Sequence, residues 1–399
     1  MTLAPECFWV YDSRKEKAEG AAVLFGENAA AERIKMHRKG SRERIASYIY
    51  HQGVTSKQEI SRELGISMPT VLQCVRTLVE EGIAQEAGEY QSTGGRKAKR
   101  ISICRNLQYA VGADITENHQ SLLLIDGRGE KQAWRRIRRP FSGEGAYWDG
   151  LAGEIDALLR EEKVEKERLL GVGISLPCIV DQSRQMILRS HVLHMEQVDL
   201  APAAARIGYP VHFWNDANSA AYGELHGETR DAVYLSLSNT VGGAVYRDGS
   251  ICMGDHFRAG EFGHMVLVPE GKTCYCGKAG CMDAYCSVRA LCGTDADQPE
   301  DFFARLADGD PQAAGAWDEY LYYLALAVTN LRMAYDCDIV LGGYLGSCLE
   351  EYREQLAEVM GRWNRFDQDA AYLRFGKRGK EAAAMGAARQ LMEDFWENF

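Results

Sequence analysis

Four residues of this chain have the types and spacing of a metal site: His264, Cys274, Cys276 and Cys281, in the pattern His-x9-Cys-Tyr-Cys-x4-Cys. Three thiolates and one imidazole form a closed tetrahedral donor set for zinc, and a short glycine-containing loop before Cys281 lets the sulfurs converge. With four protein ligands no position is left for a catalytic water, so one structural Zn2+ per chain is expected. The competing reading is a group of buried cysteines beside a chance histidine. The remaining members of the twelve cysteines are scattered, without the spacing of a disulfide framework, which predicts reduced thiols.

A second group suits phosphate rather than metal. Arg96, Lys97, Lys99 and Arg100 cluster in Ser92-Thr-Gly-Gly-Arg-Lys-Ala-Lys-Arg100, where two glycines make a loose tip and four cations can reach a nucleic-acid backbone or a narrow minor groove. The elements before it fit such a wing. Ile45, Ala46 and Ile49 give a first helix an apolar stripe that Gly53 ends. Ser56-Lys-Gln-Glu59 is a capping box opening a second helix to Leu64, and Gly65 supplies the turn. Ser67 can cap a third helix, with Pro69 in its first turn and Val71, Val75, Leu78 and Val79 on its buried face. That leaves Ser67, Met68, Thr70, Gln73, Arg76 and Thr77 to face the major groove, where Gln and Arg can read base edges. Residues 83–86 and 99–103 read as the strands flanking the wing. The alternative is a small helical protein-interaction domain with a solvated basic loop.

Charge divides along the chain in the same way. The whole chain has 46 Lys and Arg, 57 Asp and Glu and a net charge of −11, yet residues 31–105 hold 14 basic against 8 acidic residues, a net of +6, leaving −17 elsewhere. A basic head on an acidic body predicts local DNA binding by the head alone. No run of ~18 apolar residues and no signal-peptide pattern is present, so neither a membrane span nor secretion is expected, and the location is expected to be cytoplasmic.

The division predicted is an extension over 1–40 to which no role is assigned, with a short helix near 28–39; a winged helix-turn-helix over 41–104; and a body over 105–399. The body opens as a β-meander, with strands at 109–115 and 121–126 and the turn Asp126-Gly-Arg-Gly129. An amphipathic helix at 147–162, a strand at 170–176 and further alternation mark it as α/β.

Glu261-Phe-Gly-His264, Cys-Tyr-Cys-Gly-x-x-Gly-Cys-Met-Asp283-Ala-Tyr-x-Ser287, Gly171-Val-Gly-Ile-Ser-Leu-Pro-x-Ile-Val-Asp181 and Asn215-Asp-Ala-Asn-Ser-Ala-Ala221 together resemble the signature motifs of the ROK family of repressors and sugar kinases. The resemblance covers about residues 41–399. It implies a two-lobed actin-like ATPase fold, with lobes of roughly 105–225 plus the C-terminal helix and 226–375, and a sugar in the cleft between them. It also implies that Asn215, Asp216, Glu261, His264 and Asp283 contact the sugar, Asp216 standing where family kinases carry the catalytic base. Asp283 replaces a glutamate, and Cys178 replaces the glycine after Pro177. His191 and His194 lie where the family has loop residues near the sugar, although a lone histidine is more often structural. Carboxylates, an amide and an imidazole around a cleft suit a polyol; a structural network of the same groups is the alternative.

Phosphoryl transfer needs backbone amides around the phosphates. Family kinases have Asp-Ile-Gly-Gly-Thr-Lys after the first strand, and this chain has Asp114-Ile-Thr-Glu-Asn-His119. Their second loop, Gly-Thr-Gly-x-Gly-Gly-Gly, is here Ser238-Asn-Thr-Val-Gly-Gly-Ala244, while Leu341-Gly-Gly-Tyr-Leu-Gly346 partly keeps a third glycine site. The expectation is therefore a regulator of carbohydrate genes rather than an enzyme, a repressor first. Its expected partners are operator DNA, a sugar or sugar phosphate, and further copies of itself in a homodimer or higher homo-oligomer. The alternatives are an ATP-dependent sugar kinase with an added head, and a body that binds a phosphotransfer-system protein, as some relatives do.

Overall fold

The computed structural model describes residues 40–90, 99–293, 299–367 and 369–399. The helix expected near 28–39 and the wing tip with Arg96 and Lys97 lie outside the described residues. Three helices and a hairpin form the head. Helix Ser41–Gln52 buries Ile45, Ala46 and Ile49 and stops at Gly53, where φ is +66°. The capping box is complete: the Glu59 N–H donates to Ser56 Oγ at 3.2 Å and the Ser56 N–H to Glu59 Oε2 at 2.8 Å, opening helix Lys57–Leu64. Gly65 turns the chain in the left-handed region, at φ +63°.

Helix Met68–Glu80 buries Val71, Val75 and Leu78, but Val79 is 37% exposed. At about 100° per residue those three already define the inward face, and Val79 falls near its edge. Ser67 makes no side-chain cap; its hydroxyl lies 2.9 Å from Thr70 Oγ1, which competes for the capping position. Strands Ala84–Glu89 and Lys99–Ile103 pair antiparallel from Ala84↔Ile103.

The body holds two five-stranded sheets of the same topology. In the first, the order across the sheet is Val211–Asn215, Leu169–Leu176, Tyr109–Ile115, His119–Asp126, Lys131–Arg138; in the second it is Leu373–Phe375, Asp338–Gly342, Ala232–Leu237, Val241–Arg247, Ser250–Ile251. Each begins with an antiparallel meander and continues with two strands added parallel on the other side of its first strand. The two lobes are thus copies of one plan. The turns at 116–118 and 238–240 are equivalent hairpins of the two copies.

Helices Gly145–Glu161 and Ala201–Ile207 cover one face of the first sheet, and the long helix Pro311–Tyr335 belongs to the core of the second. Helix Asp216–Leu225 touches both sheets, so it joins the lobes at their hinge side. The C-terminal helix Ala382–Asn398 packs on helix Asp216–Leu225 and on the first sheet. Glycine makes that approach possible: a Cβ on Gly112 would overlap the Ala384 carbonyl, and one on Gly386 would overlap the Ser219 carbonyl. Both obstacles are backbone. Gly112→Ala is expected to cost about 1–3 kcal/mol, towards the upper end because neither side can yield, and a denaturant titration that leaves the midpoint unchanged would refute this packing.

Head and body share one apolar core. Ile45, Ile49 and Tyr50 of the head belong to the same buried cluster as Leu391, Met392 and Trp396 of the C-terminal helix. Tyr50 stacks on Trp396 at 5.2 Å, and Arg42 lies over the Phe399 ring. Among the described residues no helix is long and apolar enough to cross a membrane.

Candidate sugar cleft and metal centre

His264 ends the turn Phe262–His264, and the three cysteines follow on a small loop stitched by the bridges Val266↔Cys281 and Thr273↔Ala279. The Cys274 N–H donates to the Lys278 carbonyl and the Gly277 N–H to that of Cys274, a turn in which Gly277 takes φ +89°. Cys276 Sγ and Cys281 Sγ are 3.7 Å apart, Cys274 Sγ is 3.9 Å from His264 Nδ1, and all four donor atoms lie within 4.8 Å of one another. Zinc–sulfur bonds of about 2.3 Å in a tetrahedron give sulfur–sulfur edges near 3.8 Å, so the donor set fits that ion. Burial opposes a thiolate at Cys276, but the Lys278 N–H and the neighbouring Cys274 and Cys281 thiols outweigh it and hold Cys276 below the usual thiol value. Burial lowers His264 and keeps its imidazole neutral, the form a metal takes.

The same histidine lines the cleft between the lobes together with Asn215, Asp216 and Glu261. Asn215 is the N-cap of helix Asp216–Leu225: its Oδ1 accepts from the Asn218 N–H at 2.8 Å, and its Nδ2 donates to the Cys178 carbonyl at 3.1 Å. These bonds fix the amide at the cleft wall. Two aromatic rings beside His264 also line the cleft. His191 packs edge-on to His264 with ring centroids 5.6 Å apart, and Tyr275 lies 5.4 Å from His264. His194 is not part of the cleft lining. Tyr275 escaped the sequence reading, although a residue between two cysteines that converge on one point must project elsewhere.

Desolvation, with the carboxylates of Asp114 and Glu261 nearby, pushes Asp216 up to about 7. Because the folded value lies above that of an unfolded aspartate, its contribution to stability is complete below about pH 4 and is lost as pH rises towards 7. Asp216→Asn removes the titration. The variant is therefore expected to gain on the parent in melting temperature between pH 4 and pH 8, while binding sugar less well; a difference that does not change with pH would refute the assignment.

Asp283 is placed differently from its expected neighbours. It is 4% exposed, is not part of the cleft lining, and its Oδ2 accepts from the Val241 N–H at 2.6 Å. Burial pushes it up to about 7. Asp283 thus engages an amide of the second hairpin, one that a phosphate loop would present. In the first hairpin the His119 N–H donates to Thr116 Oγ1 at 3.1 Å, and Glu117 pairs with Arg289 of the other lobe. Arg136 of the first sheet reaches Tyr344 Oη of the second lobe at 3.1 Å. Asp114 is buried, and Ser175 Oγ donates to it at 2.7 Å. Of the surviving loop glycines, Gly242 abuts Ala217 and Gly243 abuts Phe262 so closely that neither tolerates a Cβ.

On the head, Ser67, Thr70, Gln73 and Arg76 are exposed along helix Met68–Glu80, with Met68 and Thr77 half-buried at its margins. Arg76 Nε donates to Glu80 at 2.7 Å. Lys99 pairs with Glu86 at 2.6 Å at the root of the wing, and Arg100 lies over the Tyr90 ring. The helix therefore presents one polar face away from the body-facing helix Ser41–Gln52.

Known proteins resemble both the head and the body of this chain. The winged helix-turn-helix DNA-binding model matches residues 40–85, and the ROK family model matches residues 110–394. The xylose repressor of Bacillus spizizenii is 24% identical over 354 residues, covering 85% of this chain and 91% of its own length. The N-acetylmannosamine kinase of Salmonella typhimurium is 30% identical over 256 residues, covering 61% of this chain and 85% of its own. A solved ROK family transcriptional regulator, a homolog of the E. coli MLC protein, shares the fold with a TM-score of 0.69 at 19% identity, over 91% of this chain and 97% of its own. The ROK hexokinase of Thermus thermophilus gives a TM-score of 0.57 at 29% identity, over 71% and 97%. With a winged helix-turn-helix head ahead of a two-lobed kinase-like body that the family model spans almost end to end, the chain belongs to the ROK family.

Proposed function

We propose that this chain is a sugar-responsive transcriptional repressor of carbohydrate genes, which binds operator DNA through its head and a monosaccharide in the interlobe cleft. The observation that carries the reading is mechanical. Asn215 and Asp216, at the cleft, start a helix that packs on the C-terminal helix, and the C-terminal helix shares its core with the head. A sugar that binds the closed lobes better than the open ones would shift helix Asp216–Leu225 and, through it, the head. In a homodimer or higher homo-oligomer, that shift would change the spacing of two heads on two half-sites.

In this reading Asn215, Asp216, Glu261 and His264 bind hydroxyls, with His191 and Tyr275 closing the cleft, and Asp283 acts by holding the second hairpin. Zinc at His264, Cys274, Cys276 and Cys281 fixes the imidazole, leaving its other nitrogen for the sugar. The ATP site is degenerate: the His119 and Val241 amides of its hairpins are taken by Thr116 and Asp283, and Glu117 pairs with Arg289 across the lobes. Met68, Thr70, Gln73, Arg76 and Thr77 read the operator, with Ser67 at the start of the helix, and Arg96, Lys97, Lys99 and Arg100 hold phosphates. Likeness to xylose repressors over most of the chain supports the regulatory role. The test is a thermal-shift screen of neutral and phosphorylated sugars, xylose first, followed by operator binding with each hit. A sugar that raises the melting temperature and weakens operator binding is expected; a panel in which no sugar does either would overturn the reading.

A further inference from the structure

The junction of head and body carries a second group of metal donors. His51 is the penultimate residue of the first head helix, His226 caps the end of helix Asp216–Leu225, and Glu393 lies in the C-terminal helix. Glu393 Oε1 is 3.3 Å from His51 Nε2, its Oε2 is 3.5 Å from His226 Nε2, and the three donor atoms fall within 4.8 Å of one another. Bonds of about 2.0–2.1 Å to nitrogen and oxygen in a tetrahedron give donor–donor edges of roughly 3.3–3.4 Å. The carboxylate–imidazole separations of 3.3 and 3.5 Å, one from each carboxylate oxygen, are close to that length.

The surroundings suit a cation that exchanges with solvent. The donors line a cavity of about 530 Å³ that also holds His212, Asp394 and Glu397, so water can complete the coordination and carboxylates offset the nearby Arg389. His226 and Glu393 are the more buried donors, with side chains 19% and 18% exposed, while His51 is 40% exposed. Two imidazoles and one carboxylate with an open position select a borderline divalent ion such as zinc over magnesium or calcium, which prefer all-oxygen sites.

We propose that His51, His226 and Glu393 form a second, exchangeable divalent transition-metal site that clamps the head onto the hinge helix and the C-terminal helix. Its three donors come from the three elements whose relative placement links head to cleft. The site is separate from the thiolate cluster, and its existence does not depend on which sugar or operator the chain recognises.

The test uses full-length protein stripped of metal under reducing conditions and dialysed against Co2+. The expected result is two Co2+ per chain, only one of which gives thiolate-to-cobalt charge-transfer absorption. His51→Gln, His226→Gln and Glu393→Gln should each leave that absorption intact and weaken the second ion by about 10-fold or more, since loss of a mere supporting contact to a ligand typically costs 10–100-fold. His51 is the most exposed of the three, so its variant tests the site even if the others fold poorly. Metal should also slow amide exchange severalfold along Ser41–Gln52 in the parent and not in His51→Gln. A parent that binds no Co2+ beyond the ion giving thiolate charge transfer, or a further ion indifferent to the three substitutions, would overturn the site; binding without slower exchange would overturn the clamp.

Discussion

Protein carrying Cys276→Ser is expected to lose the thiolate-bound ion and, with it, most of its affinity for sugar. Four donors close round one point, and Cys276 sits between Cys274 and Cys281, 3.7 Å from the latter. Serine is a poor zinc ligand at neutral pH because its hydroxyl stays protonated. Apparent binding energies of structural zinc run to roughly 10–16 kcal/mol in small zinc-dependent folds. A body with its own large cores needs the ion less, so a loss of several degrees in melting temperature is expected rather than global unfolding. The effect on sugar travels through His264. Its Nδ1 faces the sulfurs, 3.9 Å from Cys274 Sγ, and its ring packs on His191 and Tyr275 in the cleft. Without the ion the ring loses one of its two anchors, and sugar affinity should fall by about 10–100-fold. The head is remote from this loop and should bind operator as before, but without a response to sugar. Charge-transfer absorption after cobalt loading, calorimetric sugar titration and operator binding measure the three parts. A variant that keeps the thiolate-bound ion refutes the ligand set, and one that loses it yet binds sugar normally refutes the role of His264.

What could be read from the sequence was local. The capping box at Ser56 and Glu59, the turn glycines at 53 and 65 and the strand Tyr109–Ile115 all depend on residues a few positions apart, and each stands as expected. The Cys and His donors span one short loop and its flank, and their atoms lie within 4.8 Å of one another, as their spacing would allow. Where two local interactions competed, the sequence was ambiguous: Thr70 takes the Ser67 hydroxyl, and the edge of the helical stripe falls at Val79. Long-range facts were hidden. Nothing in the order of residues reveals that both lobes repeat one strand plan, because strand partners are chosen across the sheet. Nor does it reveal that Tyr50 meets Trp396 from the far end of the chain. Asp283 shows the limit of a motif: its position within the pattern suggested a sugar contact, but its register against Val241 decides what its carboxylate reaches.

With ATP, magnesium and xylose, glucose or N-acetylmannosamine, the parent protein is expected to turn over below about 0.01 s−1, against roughly 1–100 s−1 for working kinases. Likeness to N-acetylmannosamine kinases and the retained Asp216 make this the decisive alternative to exclude. A base alone accepts a proton from the attacked hydroxyl; it does not bring the phosphorus to it. Transfer also needs backbone amides round the phosphates and cations against their charge. Here Thr116 Oγ1 takes one hairpin amide and Asp283 takes another. Arg289, a cation that could meet a phosphate, is already paired with Glu117, whose carboxylate would repel one. Asp114, where the kinases place their first-loop aspartate, is buried against Ser175. A single repair should therefore fail: Glu117→Gly frees Arg289 and one turn but leaves Thr116 and the Asp283–Val241 bond. ATP should raise the melting temperature of neither protein, whereas the cognate sugar raises that of both. Coupled-enzyme detection of ADP and a thermal-shift titration with ATP provide the measurements. Turnover above about 1 s−1, or an ATP-induced shift matching that of the sugar, would return the chain to the kinases and make the head an addition to an enzyme.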